Sequence, residues 1–105
     1  MRGVEKRTPH HLLEGIKAAI AARGIDCFTR SAQDGVVSMG LTAAQAIAVL
    51  LALERVHFFK SMTTYADPRV WQDVYHVPTP CGTAYVKFTL RKDGSVVISF
   101  KEHRP

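Results

Sequence analysis

The residues with the most chemistry to offer lie in two alternating segments near the end of the chain. Tyr85, Lys87 and Thr89 interleave with Ala84, Val86, Phe88 and Leu90, while Val97, Ser99 and Lys101 interleave with Val96, Ile98 and Phe100. Alternation at period two is the pattern of a half-buried strand, apolar toward a core and polar toward solvent. A tyrosine ring beside lysine ammonium groups is a surface that single-stranded nucleic acid can use, with cations for phosphate and a ring for stacking. Pattern alone favours the plainer alternative, a solvated sheet face whose tyrosine lies along the surface. Lys60 to Tyr65 (Lys-Ser-Met-Thr-Thr-Tyr) and Trp71-Gln72-Asp73 are also rich in functional groups. Periodicity assigns them no role, and Trp71 reads as a core residue.

Other catalytic signatures are missing. The chain has no G-x-S-x-G, no P-loop, no G-x-G-x-x-G and no H-E-x-x-H motif. His10, His11, His57, His76 and His103 are scattered, with no ligand pair at metal spacing, so neither a metal nor a cofactor is expected. His10-His11 reads as a solvated pair near a helix start. Cys27 and Cys81 form no C-x-x-C and read as core or incidental reduced thiols, as in a cytoplasmic protein.

Turn chemistry sets the register of the last two segments. A two-residue Asp93-Gly94 loop would pair Phe88 with Ser99 and Val86 with Lys101, mixing the buried and solvated faces. A three-residue Lys92-Asp93-Gly94 loop with Gly94 left-handed pairs Leu90 with Val96, Phe88 with Ile98 and Val86 with Phe100. A one-residue slip reverses every side chain, so the burial pattern selects the three-residue loop. That register places Tyr85 opposite Lys101 and Lys87 opposite Ser99 on the polar face.

The elements that must hold this hairpin come earlier. Thr8 is placed to cap a first helix with Pro9 at its first position, Leu12, Leu13, Ile16, Ala19 and Ile20 at helical spacing, and Gly24 as its stop. Ser31 is placed to cap a shorter helix ending before Gly40. Thr42 with Gln45 is a capping-box pair for a third helix over Ala43 to Arg55, apolar almost all round and suited to central packing. Val56 to Tyr65 and Val70 to Val77 read as strands separated by Asp67-Pro68, and Pro78 to Gly82 reads as a loop. Helices followed by an antiparallel sheet make an α+β class, with N-terminal helices packed on one face of a C-terminal sheet in a single domain over residues 1–105.

Composition excludes several function classes. Hydrophobic residues make up 47% and charged residues 22% of 105, an ordinary globular balance rather than a disordered one. The longest apolar run, Ala43 to Leu53, is too short to span a bilayer. Arg2, Glu5, Lys6 and Arg7 open the chain where a signal peptide would need an apolar stretch, so neither a signal peptide nor a membrane partner is expected. The net charge of +5 is concentrated in the second half: six basic and five acidic residues run through Glu54, against eight basic and four acidic after it. A basic half-domain suits a polyanionic partner, nucleic acid first.

The chain resembles the MqsR family of type II toxins, mRNA interferases related in fold to RelE-like toxins. The resemblance is carried by Glu5-Lys6-Arg7-Thr8-Pro9-His10, Phe59-Lys60-Ser61-Met62-Thr63-Thr64-Tyr65, Val70-Trp71-Gln72-Asp73-Val74-Tyr75, Tyr85-Val86-Lys87 and Ser99-Phe100-Lys101-Glu102. These blocks follow in order and reach nearly end to end. Gly24 to Leu53 is richer in alanine than the family pattern, and Phe59 stands where tyrosine is common. The segment Val77 to Cys81 is also atypical and is expected to bear on which RNA sequence is preferred.

The resemblance implies a catalytic set at Lys60, Gln72, Tyr85 and Lys101, and Lys87, placed on the same polar face by the hairpin register, is the candidate for binding RNA. It implies a cytoplasmic, ribosome-independent endoribonuclease cutting mRNA at GC-containing sites such as GCU. It also implies an MqsA-like antitoxin with zinc-binding and helix-turn-helix domains. The expected mechanism is metal-independent attack by the substrate's own 2′-hydroxyl, leaving a 2′,3′-cyclic phosphate and a 5′-hydroxyl. Lys60 and Lys101 would stabilise the phosphorane, Tyr85 would move a proton, and Gln72 would orient the phosphate or the 2′-hydroxyl. Two other readings stay open: a non-catalytic single-stranded RNA-binding module on the same face, and an antitoxin-binding co-regulator of a promoter.

Overall fold

The computed structural model describes residues 4–104. A short strand β1 (Glu5–Lys6) precedes three helices, α1 (Leu13–Arg23), α2 (Arg30–Ser38) and α3 (Ala43–Leu51). Four strands follow: β2 (Phe58–Thr63), β3 (Trp71–Thr79), β4 (Gly82–Leu90) and β5 (Val96–Glu102). They form one five-stranded sheet in the order β1-β2-β3-β4-β5, antiparallel at every step. The helices cover one face, which is the α+β arrangement the sequence pattern predicts. Among the described residues no single helix is long and apolar enough to cross a membrane.

The core lies between the helices and the inward side chains of the sheet. Ile16 and Ile20 of α1, Val36 of α2 and Leu50 of α3 meet Tyr75, Val77, Val86, Phe88, Ile98 and Phe100. Burial of each large apolar side chain contributes about 1.5–3 kcal/mol. Gly35 lets α2 lie directly on β5, because a Cβ at this position would overlap the Phe100 carbonyl.

Several boundaries differ from the sequence expectation. α1 starts at Leu13 rather than after Thr8, because the His10 and His11 amides donate to the Asp73 carboxylate at 3.0 and 2.8 Å. The buried Asp73 also accepts from Ser61 Oγ at 2.7 Å, so it ties the N-terminal segment to β2 and β3. α2 is capped by Thr29, whose Oγ1 accepts from the Ala32 amide at 3.0 Å, and not by Ser31. The Thr42–Gln45 box forms in both directions, at 3.1 and 2.9 Å. α3 ends at Leu51, however, and it buries Ala46 and Leu50 while leaving Ala44, Ala48 and Leu51 exposed. It shares the packing with α1 rather than dominating it.

The final hairpin follows the predicted register: Leu90 faces Val96, Phe88 faces Ile98 and Val86 faces Phe100. Gly94 sits at φ 86°, and its amide donates to the Arg91 carbonyl at 3.0 Å, closing the loop. The expected loop from Pro78 to Gly82 is mostly strand. Thr79 pairs with Gly82, so β3 and β4 join through a tight Pro80-Cys81 turn. Pro78 is tolerated because β2 ends its pairing at Tyr75, leaving no strand on that side to receive an amide.

Candidate active site

The register assigns one face of the sheet to the site. Asp73, Tyr75 and Val77 point toward the helix side, with their partners Phe88, Val86 and Ala84. Alternation therefore sends Gln72, Val74 and His76 to the opposite face, with Tyr85, Lys87, Ser99 and Lys101. Lys60 pairs with Val74 and joins them. All four catalytic candidates and Lys87 thus share the face that the helices leave open.

A β-bulge makes this possible on β2. Phe58 pairs with Tyr75 and Lys60 with Val74, so Phe59 is the extra residue. Phe58 packs edge-on against Tyr75 at 5.5 Å, whereas Phe59 stacks on His76 at 4.5 Å. Regular alternation would have sent Phe58 and Lys60 to the same side. The bulge instead turns Phe59 and Lys60 together onto the polar face.

The candidates do not converge on one point. Tyr85 and Lys101 are direct cross-strand partners, and the Lys101 ammonium lies 5.4 Å from the Tyr85 ring centroid. Strand spacing puts the Lys60 and Lys101 Cα atoms ~16 Å apart, and Gln72 ~14 Å from Tyr85. Lys87 occupies the centre, within ~10 Å of all four on the same spacing. Burial, then the nearby Lys101, holds the Lys87 ammonium below the usual lysine range. Lys60 donates to Glu5 Oε1 at 2.6 Å, and this pairing pulls the Glu5 carboxyl below its ordinary value. A cleft of about 520 Å³ opens beside Tyr85 and Lys101, bounded by Ser38, Glu102, His103 and Arg104.

Sequence reasoning missed two residues here. His76 faces Tyr85 across β3 and β4, and His103 stacks on His76 with centroids 4.3 Å apart. The missed signal was the Pro80-Cys81 turn: once β3 and β4 are joined there, alternation from Gln72 puts His76 on the site. Among the described residues no group of three His, Cys, Asp or Glu side chains is arranged to hold a metal ion.

The other singled-out residues are structural. Trp71 is half-buried rather than core; it stacks on His10 at 5.0 Å and receives the Lys6 ammonium over its ring at 4.2 Å. His11 is also half-buried, with Nε2 at 3.0 Å from the Trp71 carbonyl, so the histidine pair is only partly solvated. Cys27 is buried, its thiol pushed up by that burial, and Cys81 is exposed at the hairpin turn; neither is disulfide-bonded.

Comparison with known proteins gives this face its context. A family model described as "Motility quorum-sensing regulator, toxin of MqsA" matches residues 8–102. The chain is 39% identical to the mRNA interferase toxin MqsR of Escherichia coli (strain K12) over 99 residues, covering 94% of this chain and 99% of that protein. A match of this extent includes the helices as well as the strands that carry Lys60, Gln72, Tyr85 and Lys101, and the chain belongs to the MqsR toxin family.

Proposed function

We propose that the open face of the sheet cuts single-stranded mRNA by attack of the substrate's own 2′-hydroxyl. As a member of the MqsR family the chain is an mRNA interferase toxin, an endoribonuclease. The observation that carries the mechanism is the direct pairing of Tyr85 with Lys101 on a face lined by further lysines. In this reading the 2′-oxygen loses its proton and bonds to phosphorus as the bond from phosphorus to the 5′-oxygen breaks. The 5′-oxygen takes up a proton, leaving a 2′,3′-cyclic phosphate and a 5′-hydroxyl.

Each residue has a part set by its place. Lys101 and the central Lys87 stabilise charge developing on the phosphorane, since preorganised cations act there without reorganising. Tyr85, beside Lys101, moves the proton. Lys60 and Gln72, displaced toward β2, hold the strand on the other side of the cut. Cutting at GC-containing sites such as GCU, action in the cytoplasm, and neutralisation by an MqsA-like antitoxin with zinc-binding and helix-turn-helix domains complete the proposal. RNA carrying one GCU triplet, incubated in EDTA, should yield 5′-hydroxyl ends at that triplet. A single 2′-deoxy substitution at the cut should abolish the reaction; an unchanged rate would refute 2′-hydroxyl attack.

A further inference from the structure

Attack by a 2′-hydroxyl needs two proton transfers at opposite poles of the phosphorus, because the attacking and departing oxygens lie roughly in line. Tyr85 and Lys101 cannot supply both poles. They are directly opposed across β4 and β5, and the Lys101 ammonium lies 5.4 Å from the Tyr85 ring, so the two stand on one side of any phosphate between the strands' side chains. The second pole is offered along β4. Lys87 follows Tyr85 by two residues on the same face, ~6.7 Å further along the strand, a spacing that lets a phosphate sit between their side chains. The pairing row through Lys87 runs Lys60, Val74, Lys87, Ser99, which puts this lysine in the middle of the open face. It is half-buried, and among the described residues it enters no ion pair.

We propose that Lys87 is the general acid of the cut, its ammonium handing a proton to the departing 5′-oxygen. The inference rests on reading this face as RNA-cleaving, and it names the donor which that reading leaves open. The 2′-hydroxyl gives its proton to Tyr85 in its phenolate form, and the 2′-oxygen bonds to phosphorus. The bond from phosphorus to the 5′-oxygen breaks, and the electron pair left on that oxygen takes a proton from Lys87. Tyr85 ends as the phenol and Lys87 as the amine, and water returns the proton from one to the other. The neighbours serve this step less well. Gln72 carries an amide that does not titrate. Lys60 lies two strands away from β4 and donates to Glu5 at 2.6 Å. The His76 ring is covered by Phe59 and His103 at 4.5 and 4.3 Å, with its Nε2 buried. Burial, then the neighbouring Lys101, holds Lys87 below the usual lysine range, which makes its ammonium a stronger acid than a solvated one.

The test compares ordinary RNA with RNA in which sulfur replaces the bridging 5′-oxygen at the cut, since a thiolate leaves without being protonated. Lys87→Arg keeps the positive charge but substitutes a guanidinium, which does not give up its proton in a protein. It should bind RNA made uncleavable by a 2′-deoxy nucleotide as wild type does, which shows that the face is intact. On ordinary RNA it should cut ~100-fold more slowly than wild type, the scale of a lost general acid. On the sulfur-containing RNA it should cut at nearly the wild-type rate. Lys101→Ala, which removes a charge rather than the donor, should lose as much on one RNA as on the other. Equal losses by Lys87→Arg on both RNAs, or no loss on ordinary RNA, would overturn the assignment of Lys87 while wild-type cutting kept the RNA-cleaving reading. Wild type that cuts neither RNA would overturn both.

Discussion

Lys101 stands directly across the β4–β5 ladder from Tyr85, with its ammonium 5.4 Å from the centre of the tyrosine ring. Two glycines set this relationship. Gly94 closes the hairpin in the register that pairs them, and Gly35 lets α2 rest on the backbone at Phe100, the residue before Lys101.

That close approach separates two glycine substitutions by sign. Gly35→Ala would force a methyl into the Phe100 carbonyl, and overpacking of this kind costs about 1–3 kcal/mol. Gly15→Ala in α1 places its methyl 3.5 Å from Leu90 Cδ2, an ordinary contact, and should stabilise by about 0.5–1 kcal/mol through helix propensity. Thermal denaturation of both variants checks the pair: the first melts lower than wild type and the second higher.

Glu5 holds Lys60 at 2.6 Å and would compete for it with an RNA phosphate bound on the proposed site. Glu5→Gln should therefore tighten RNA binding about two- to fivefold and steepen its salt dependence, the scale of one exposed ion pair. Titration of labelled, uncleavable RNA at two salt concentrations checks this. Weaker binding would show instead that Glu5 positions Lys60 for its task.

Tyr75 buries a hydroxyl that has no hydrogen-bond partner among the described residues, and burial with the nearby Asp73 pushes its pKa up to about 12. Removing an unsatisfied buried polar group relieves its desolvation penalty while the ring keeps its contacts with Phe58 and Phe88. Tyr75→Phe should be stabilising by about 1 kcal/mol, measured as an increased urea midpoint.

Acid should destabilise the fold through its histidines before most carboxylates titrate. His76 and His10 both titrate below the ordinary histidine range, chiefly because of burial, with His103 adding to the first and Lys6 and His11 to the second. The unfolded chain then binds more protons between the folded values and 6.5, so stability falls as pH drops through that window. Urea midpoints at about pH 7.5 and about pH 5.5 should show the fall, and His76→Phe should make it smaller.

The hairpin register was legible because two independent constraints agreed, the left-handed Gly94 and an apolar alternation that tolerates no slip. The Thr42–Gln45 box was legible because capping is local. The start of α1 was not, since a buried carboxylate 62 and 63 residues further along the chain takes the His11 and His10 amides. Nor was the place of Phe59, because a bulge breaks the alternation from which faces are read. His76 and His103 looked scattered for a related reason: their meeting depends on a tight turn that two prolines made look like a loop.

In the proposed reaction the open face holding Tyr85 and Lys101 performs the cleavage. The most direct test compares wild type, Tyr85→Phe and Lys101→Ala on RNA carrying one GCU triplet, with cleavage rate and RNA affinity measured on the same preparations. Both variants should remain folded, and Tyr85→Phe should cut at least ~100-fold more slowly while binding RNA nearly as well, the scale of a lost proton-transfer group. Cleavage at the wild-type rate by both variants would place the chemistry elsewhere on the molecule.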